Sequence, residues 1–85
     1  MAVYRVFITR SAEKEIERLS AMIRRLVVRR IQALADDPRP HGSQKLAGED
    51  KYRVRQGDYR IVYTIEDEIV TVTIVRVAHR SDVYR

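Results

Sequence analysis

Residues 52–63 read Tyr52-Arg53-Val54-Arg55-Gln56-Gly57-Asp58-Tyr59-Arg60-Ile61-Val62-Tyr63, and their pattern decides the fold. Two runs of β-branched and aromatic residues flank Gly57-Asp58, and glycine first in a two-residue loop suits a type II′ hairpin turn. Closing the chain there sets the register: Gln56 opposite Tyr59, Arg55 opposite Arg60, Val54 opposite Ile61, Arg53 opposite Val62. Side chains alternate along a strand, so Tyr52, Val54, Ile61, Tyr63 and Ile65 share one face while Arg53, Arg55 and Arg60 share the other.

Working outward, Glu66-Asp67-Glu68 joins the hairpin to a further strand over Ile69 to Ala78. Its Val70, Val72 and Ile74 extend the apolar face, and Thr71, Thr73 and Val75 join Val62 and Thr64 on the arginine face. Upstream, the segment Asp36 to Asp50 holds both prolines and two of the three glycines, which marks a long loop. Before it, Ala12, Ile16, Leu19, Ile23, Val27, Ile31 and Leu34 recur at steps of three and four, the signature of helix with one buried stripe. Thr9 or Ser11 caps its start, and Ser20 splits it into two helices. Val3-Tyr4-Arg5-Val6-Phe7-Ile8 is a first strand. The order β-α-α-β-β-β predicts an α+β fold: a small, mostly antiparallel sheet, strand one a possible parallel partner, with both helices on one face.

Eighty-five residues make one domain, 1–85, with no room for a separate cofactor module, which excludes two-lobed enzymes. At this length only about 60% of the unfolded surface can be buried, so stability is marginal unless a partner adds to it. The absence of cysteine removes disulfides, thiolate nucleophiles and cysteine-based zinc sites. Met1-Ala2-Val3-Tyr4-Arg5 lacks the layout of a signal peptide, and no apolar run approaches the roughly 20 residues that span a membrane, so a cytoplasmic protein without membrane association is expected.

The formal charge is +5, from 17 Lys plus Arg against 12 Asp plus Glu. Only Lys14, Lys45 and Lys51 are lysine, so fourteen of the seventeen are arginine, whose planar fork suits phosphate. A polyanionic partner follows, nucleic acid before membrane. Arg55 opposite Arg60 places like charges face to face, which costs an antiparallel pair some tenths of a kcal/mol. A charged residue on an outer strand face is ordinarily just solvated, but a cluster that is all arginine reads as a binding surface. Arg24, Arg25, Arg29 and Arg30 lie on the second helix with no acid between Ser20 and Leu34; with Lys45 in the loop they are candidate RNA contacts, although a solvated helix face explains them equally well. Val77-Ala78-His79-Arg80-Ser81-Asp82-Val83-Tyr84 follows the last strand and reads either as a tail whose Val83 and Tyr84 dock on apolar surface while His79 and Arg80 stay solvated, or as a stretch that brings an imidazole and a phenol to the arginine face. The remaining histidine, His41, is a surface residue of the loop.

Three stretches, Gln44-Lys45-Leu46-Ala47-Gly48, Tyr52 to Tyr63 and Val77 to Tyr84, together resemble the RelE branch of the RelE/ParE toxin superfamily, and the likeness in length, element order and charge spans the chain. The resemblance implies a toxin of a toxin–antitoxin pair that cuts mRNA in the ribosomal A site without metal or cofactor. It implies that Arg53 and Arg55 hold the RNA backbone, that Arg60 contacts phosphate, and that Arg80 and Tyr84 complete the site. Some related toxins carry a glutamate base two residues before the loop leucine, where this chain has Gln44.

Metal-free RNA cleavage needs a base for the 2′-OH proton, cations for the charge that develops on phosphorus, and an acid for the leaving 5′ oxygen. Arg60, Arg80 and Arg55 supply the cations. Arginine, with a pKa above about 12, does not exchange the proton. That falls to Tyr84, the residue the resemblance implies, or to His79, whose ordinary pKa of about 6.5 suits the task better. The other functions to separate are gyrase inhibition of the ParE kind and an inactive nucleic-acid-binding module. The expected partners are mRNA, the ribosome with its RNA, and an acidic antitoxin, partly disordered alone, that folds on binding this basic surface.

Overall fold

The hairpin closes as its residues demand. β3 (Tyr52–Gln56) and β4 (Tyr59–Glu66) pair antiparallel with Arg55 opposite Arg60 and Val54 opposite Ile61, and Gly57 takes φ +60° in the turn, a conformation open to glycine without steric cost. The computed structural model of the chain describes residues 3–82. The other elements are β1 (Arg5–Ile8), α1 (Arg10–Glu17), α2 (Ala21–Ala33), β2 (Gln44–Lys45) and β5 (Thr71–His79). The strand order is β1-β5-β4-β3-β2. β1 runs parallel to β5 and every other pairing is antiparallel, so the predicted mixed sheet forms.

Both helices pack on one face of the sheet. Ala12, Ile16, Val27, Ile31 and Leu34 meet Val54, Ile61, Tyr63, Val72, Ile74 and Val77 in one buried cluster. Thr9 is the cap of α1: its Oγ1 accepts the Ala12 N–H at 3.2 Å. Ser20 does divide the helices but makes no side-chain cap.

Three features depart from the sequence reading. The loop contains a two-residue strand, β2, that pairs Gln44 with Arg53 and Lys45 with Tyr52. The last strand begins at Thr71, because Asp67–Ile69 forms a 3₁₀ turn and Val70 is left-handed at φ 51°; Val70 therefore links the strands instead of extending the core face. The third departure is a β-bulge. Tyr63 pairs with Ile74 but Val62 pairs with Arg76, so Val75 is an extra residue in β5. A bulge shifts the alternation by one: Val77 turns into the core opposite Ile61, and the positions beyond it exchange faces relative to an unbroken strand.

The loop is pinned to the sheet by two tyrosines. The fully buried Tyr63 donates its hydroxyl to the Pro38 carbonyl at 2.7 Å, and burial pushes its phenol up to about 12. Arg39 grips Asp67 through both carboxylate oxygens, at 2.9 and 3.1 Å, and lies over the Tyr52 ring, while Tyr4 donates to the same carboxylate at 2.6 Å. These hydrogen bonds, that from Arg39 foremost, hold the Asp67 carboxyl down at about 2, against 3.8 ordinarily. A carboxyl depressed in the folded state stabilises the fold above its unfolded pKa and ceases to do so as pH falls through the folded one. The wild-type Tm is therefore expected to fall between about pH 4 and pH 2 in part through this group, and Asp67→Asn to lower Tm at pH 7 and flatten that limb of the curve. Thermal melts of the two proteins from pH 7 to pH 2 check it; parallel curves would contradict it.

Candidate nucleic-acid interface

The face away from the helices carries the hairpin arginines. Arg55 is exposed and Arg53 and Arg60 are half-buried. Arg53 lies beside β2 and donates to the Gln44 side chain, so part of its hydrogen-bonding capacity is already turned toward the sheet edge. Lys45, next along β2, is exposed. The loop after β2 folds over this face: Leu46, Glu49 and Lys51 line a shallow groove with Val62, Val75 and Arg76, and Val62 is buried. Glu49, paired at 3.7 Å with Lys51, is an acid near the arginines that the hairpin sequence did not suggest.

Arg80 arrives from β5. Its N–H donates to the Asp58 carbonyl at 2.7 Å, and its Nε lies 4.0 Å from the Asp58 carboxylate. Arg60 pairs with Ala78, and Arg80, two residues on, is held at the hairpin turn. Arg55, Arg60 and Arg80 thus gather at one end of the hairpin, three cations that resist deprotonation within a single small surface.

His79 goes elsewhere. The bulge at Val75 rotates it to the helix side, where it pairs with Tyr59 and meets that ring edge-on at 5.4 Å. Both line a groove of about 440 Å³ with Glu15, Arg18, Leu19 and Arg76. The Nδ1 of His79 is turned to Ser81, 3.3 Å from its N–H and 3.0 Å from its hydroxyl. The expectation that His79 joins the arginine face is corrected by this one inserted residue. Tyr84 lies outside the described residues. His41 is exposed, as expected.

The helix arginines divide. Arg25 and Arg29 are exposed and line a trough on α2 with Ala21 and Val28. Arg30 is half-buried, close enough to the Tyr63 phenol to act on it electrostatically. Arg24 turns back on the preceding helix: Nη2 donates to the carbonyls of Leu19 at 2.9 Å and Glu17 at 3.1 Å, and Nε to that of Ile16 at 3.4 Å. The Ile16 carbonyl also accepts the Leu19 N–H at 3.1 Å, so the guanidinium adds to the closure of the end of α1 and meets the negative end of its dipole. Arg24→Ala is expected to cost about 1 kcal/mol and several degrees in Tm, and Arg25→Ala almost nothing. Equal melting of the two variants would contradict the distinction.

Glu15 and Arg76 were not legible as part of any site. Glu15 accepts the Val77 N–H at 2.8 Å and approaches Arg76 at 3.6 Å. Among the described residues no three His, Asp or Glu side chains are placed to hold a metal ion, and no helix is long and apolar enough to cross a membrane.

The family model for the ParE toxin of the type II toxin–antitoxin system parDE matches residues 6–84. Toxin RelG of Mycobacterium tuberculosis is 37% identical over 86 residues, covering 96% of this chain and 97% of that protein. The fold is similar to the toxin–antitoxin complex RelBE2 from the same organism, with a TM-score of 0.84 and 34% identity over 96% of this chain and 97% of that one. It is equally similar to the archaeal RelE–RelB complex from Pyrococcus horikoshii, with a TM-score of 0.84 and 28% identity over 94% and 98% of the two chains.

Proposed function

This chain belongs to the ParE toxin family, within the RelE/ParE superfamily of type II toxins, and we propose that its toxic activity is metal-independent endonucleolytic cleavage of mRNA in the ribosomal A site. The observation that carries the reading is the gathering of Arg55, Arg60 and Arg80 at one end of the β3–β4 hairpin. Arg55 and Arg60 oppose each other across the strands, an arrangement that folding alone disfavours and a bound phosphodiester relieves. Guanidiniums fixed before substrate arrives stabilise the charge that builds on the phosphorane at no cost in reorganisation. Arg53 and Lys45 track the RNA backbone on the β2 side, and the exposed Arg25 and Arg29 meet ribosomal RNA by counterion release. Arg30, half-buried, stands behind them, and Arg24 lines the same trough while its guanidinium also caps the end of α1.

Proton transfer in this reading belongs to Tyr84. His79 points to the opposite side of the sheet with its Nδ1 turned to Ser81, so it serves the site by packing against Tyr59. A small protein with so modest a base relies on the ribosome to position the message, since orientation supplies a large part of the barrier reduction.

The solved relatives in complex with RelB antitoxins support an analogous acidic partner here, which covers the basic face and silences it. In this reading the chain acts as a single domain in the cytoplasm, where it meets ribosomes and such an antitoxin.

One observation favours a second reading, gyrase inhibition: the matching family model is described by its ParE member. The purified chain, added in parallel to a cell-free translation reaction and to a gyrase supercoiling assay, separates the two. Loss of translation with normal supercoiling is expected; the reverse result would refute cleavage and favour the gyrase.

A further inference from the structure

We propose that Glu15 and Arg76 form a brace whose task is to position Arg80, an inference that rests on Arg80 serving the cleavage reaction. It begins where the sheet runs out of strands. β1 pairs with β5 only as far as Ile8 and Ile74, yet β5 continues to His79 with β4 on one side. The Thr9 hydroxyl reaches the Val75 carbonyl at 3.5 Å, and at Val77 a carboxylate replaces the missing strand: Glu15 Oε1 accepts the Val77 N–H at 2.8 Å. The end of a strand without a neighbour frays, and a backbone N–H bonded to a carboxylate is among the stronger ways to prevent it.

The second oxygen of Glu15 extends the support. Oε2 lies 3.6 Å from Arg76 Nε, and Arg76 Nη2 donates to the Asp82 carbonyl at 3.2 Å. Between Arg76 and Asp82 the chain makes the turn that carries Arg80, closed by the Asp82 N–H on the His79 carbonyl at 2.8 Å. That turn is therefore held from two sides, by the Asp58 carbonyl through the Arg80 N–H and by α1 through Glu15 and Arg76. The Arg80 side chain itself is exposed, and its guanidinium comes no nearer than 4.0 Å to the Asp58 carboxylate. Its aim therefore depends on where the backbone is fixed. Glu15 and Arg76 touch no substrate in this arrangement and act as positioning residues.

The test compares Glu15→Gln, which keeps an oxygen for the Val77 N–H but loses the charge facing Arg76, with Glu15→Ala, which loses both. Single-turnover cleavage on saturating ribosomes is expected to fall at least about tenfold in the alanine variant and less in the glutamine variant, with ribosome affinity unchanged. In an Arg80→Ala background the Glu15→Ala change is expected to add no more than about twofold, because both act through one group. A full additive loss there would overturn the brace. Amide hydrogen exchange on the free protein reads the same claim without any activity. Exchange at Arg80 and Asp82 is expected to quicken about tenfold in Glu15→Ala, with Ile61 and Val72 unchanged; unchanged exchange at Arg80 and Asp82 would refute the brace. If the wild type does not cut message, the cleavage reading fails, and the exchange arm still decides whether Glu15 holds the turn. Should Glu15→Ala not fold, Glu15→Gln and Arg76→Gln carry both measurements.

Discussion

Arg60→Ala is expected to slow single-turnover cleavage of ribosome-bound message by about 10²–10³-fold, or roughly 3–4 kcal/mol of transition-state stabilisation. Arg60 stands opposite Arg55 in the centre of the cationic cluster and in register with Ala78, two residues before Arg80. In the proposed mechanism its loss removes a fork of hydrogen-bond donors from the charge that develops, and neither neighbour can move across a paired sheet to replace it. Arg60→Lys keeps the charge and loses the two-pronged geometry, so an intermediate loss is expected. Stability follows a different course. Relief of the like-charge pair offsets lost packing, and the Tm is expected to stay within a few degrees of wild type. Wild-type cleavage by Arg60→Ala would remove this arginine from the mechanism.

The largest effect on the fold is expected at Ile61. Its side chain is fully buried, opposite Val54 and Val77 in the cluster that joins the sheet to both helices. Ile61→Ala leaves a cavity in an interior already filled and is expected to cost about 2–5 kcal/mol. Small domains have only about 5–15 kcal/mol in total, and this chain is short. A Tm drop of roughly 10 °C or more is expected, with growth arrest lost through unfolding and not through chemistry. The control is Ile69→Ala in the 3₁₀ turn, where the side chain is 61% exposed and the change is expected to stay within about 0.5 kcal/mol. Similar melting of the two variants would contradict the placement of the core.

The hairpin was legible because its information is local. Period-two alternation and a glycine at the turn set the register, and the register sets which arginines share a face. The helix stripe from Ala12 to Leu34 was legible for the same reason, since 3.6-residue periodicity needs no knowledge of the partner. Val75 was not legible. From Thr71 to Val77 every residue but Arg76 is β-branched, so propensity does not separate one register from another, and the only mark of the slip is Arg76, charged where Val72 and Ile74 set a core parity. The slip falls where β1 stops being a neighbour: β1 pairs with β5 as far as Ile74, and Val75 is the next residue. That single residue sends His79 to the helix side. Arg24 marks a different limit: a run of arginines without acids reads as an electrostatic patch, and nothing local in it announces that one guanidinium also donates to main-chain carbonyls of the preceding helix. Glu15 meets Val77 across 62 residues of sequence, a contact visible only once α1 is laid across the unpaired edge of β5.

The most direct test of the central claim is primer extension on a defined message in a reconstituted translation reaction, with the purified chain present or absent and free message as control. New 5′ ends confined to ribosome-bound message, within the codon in the A site, are the predicted result. Intact message on stalled or elongating ribosomes, or equal cutting of free RNA, would contradict it.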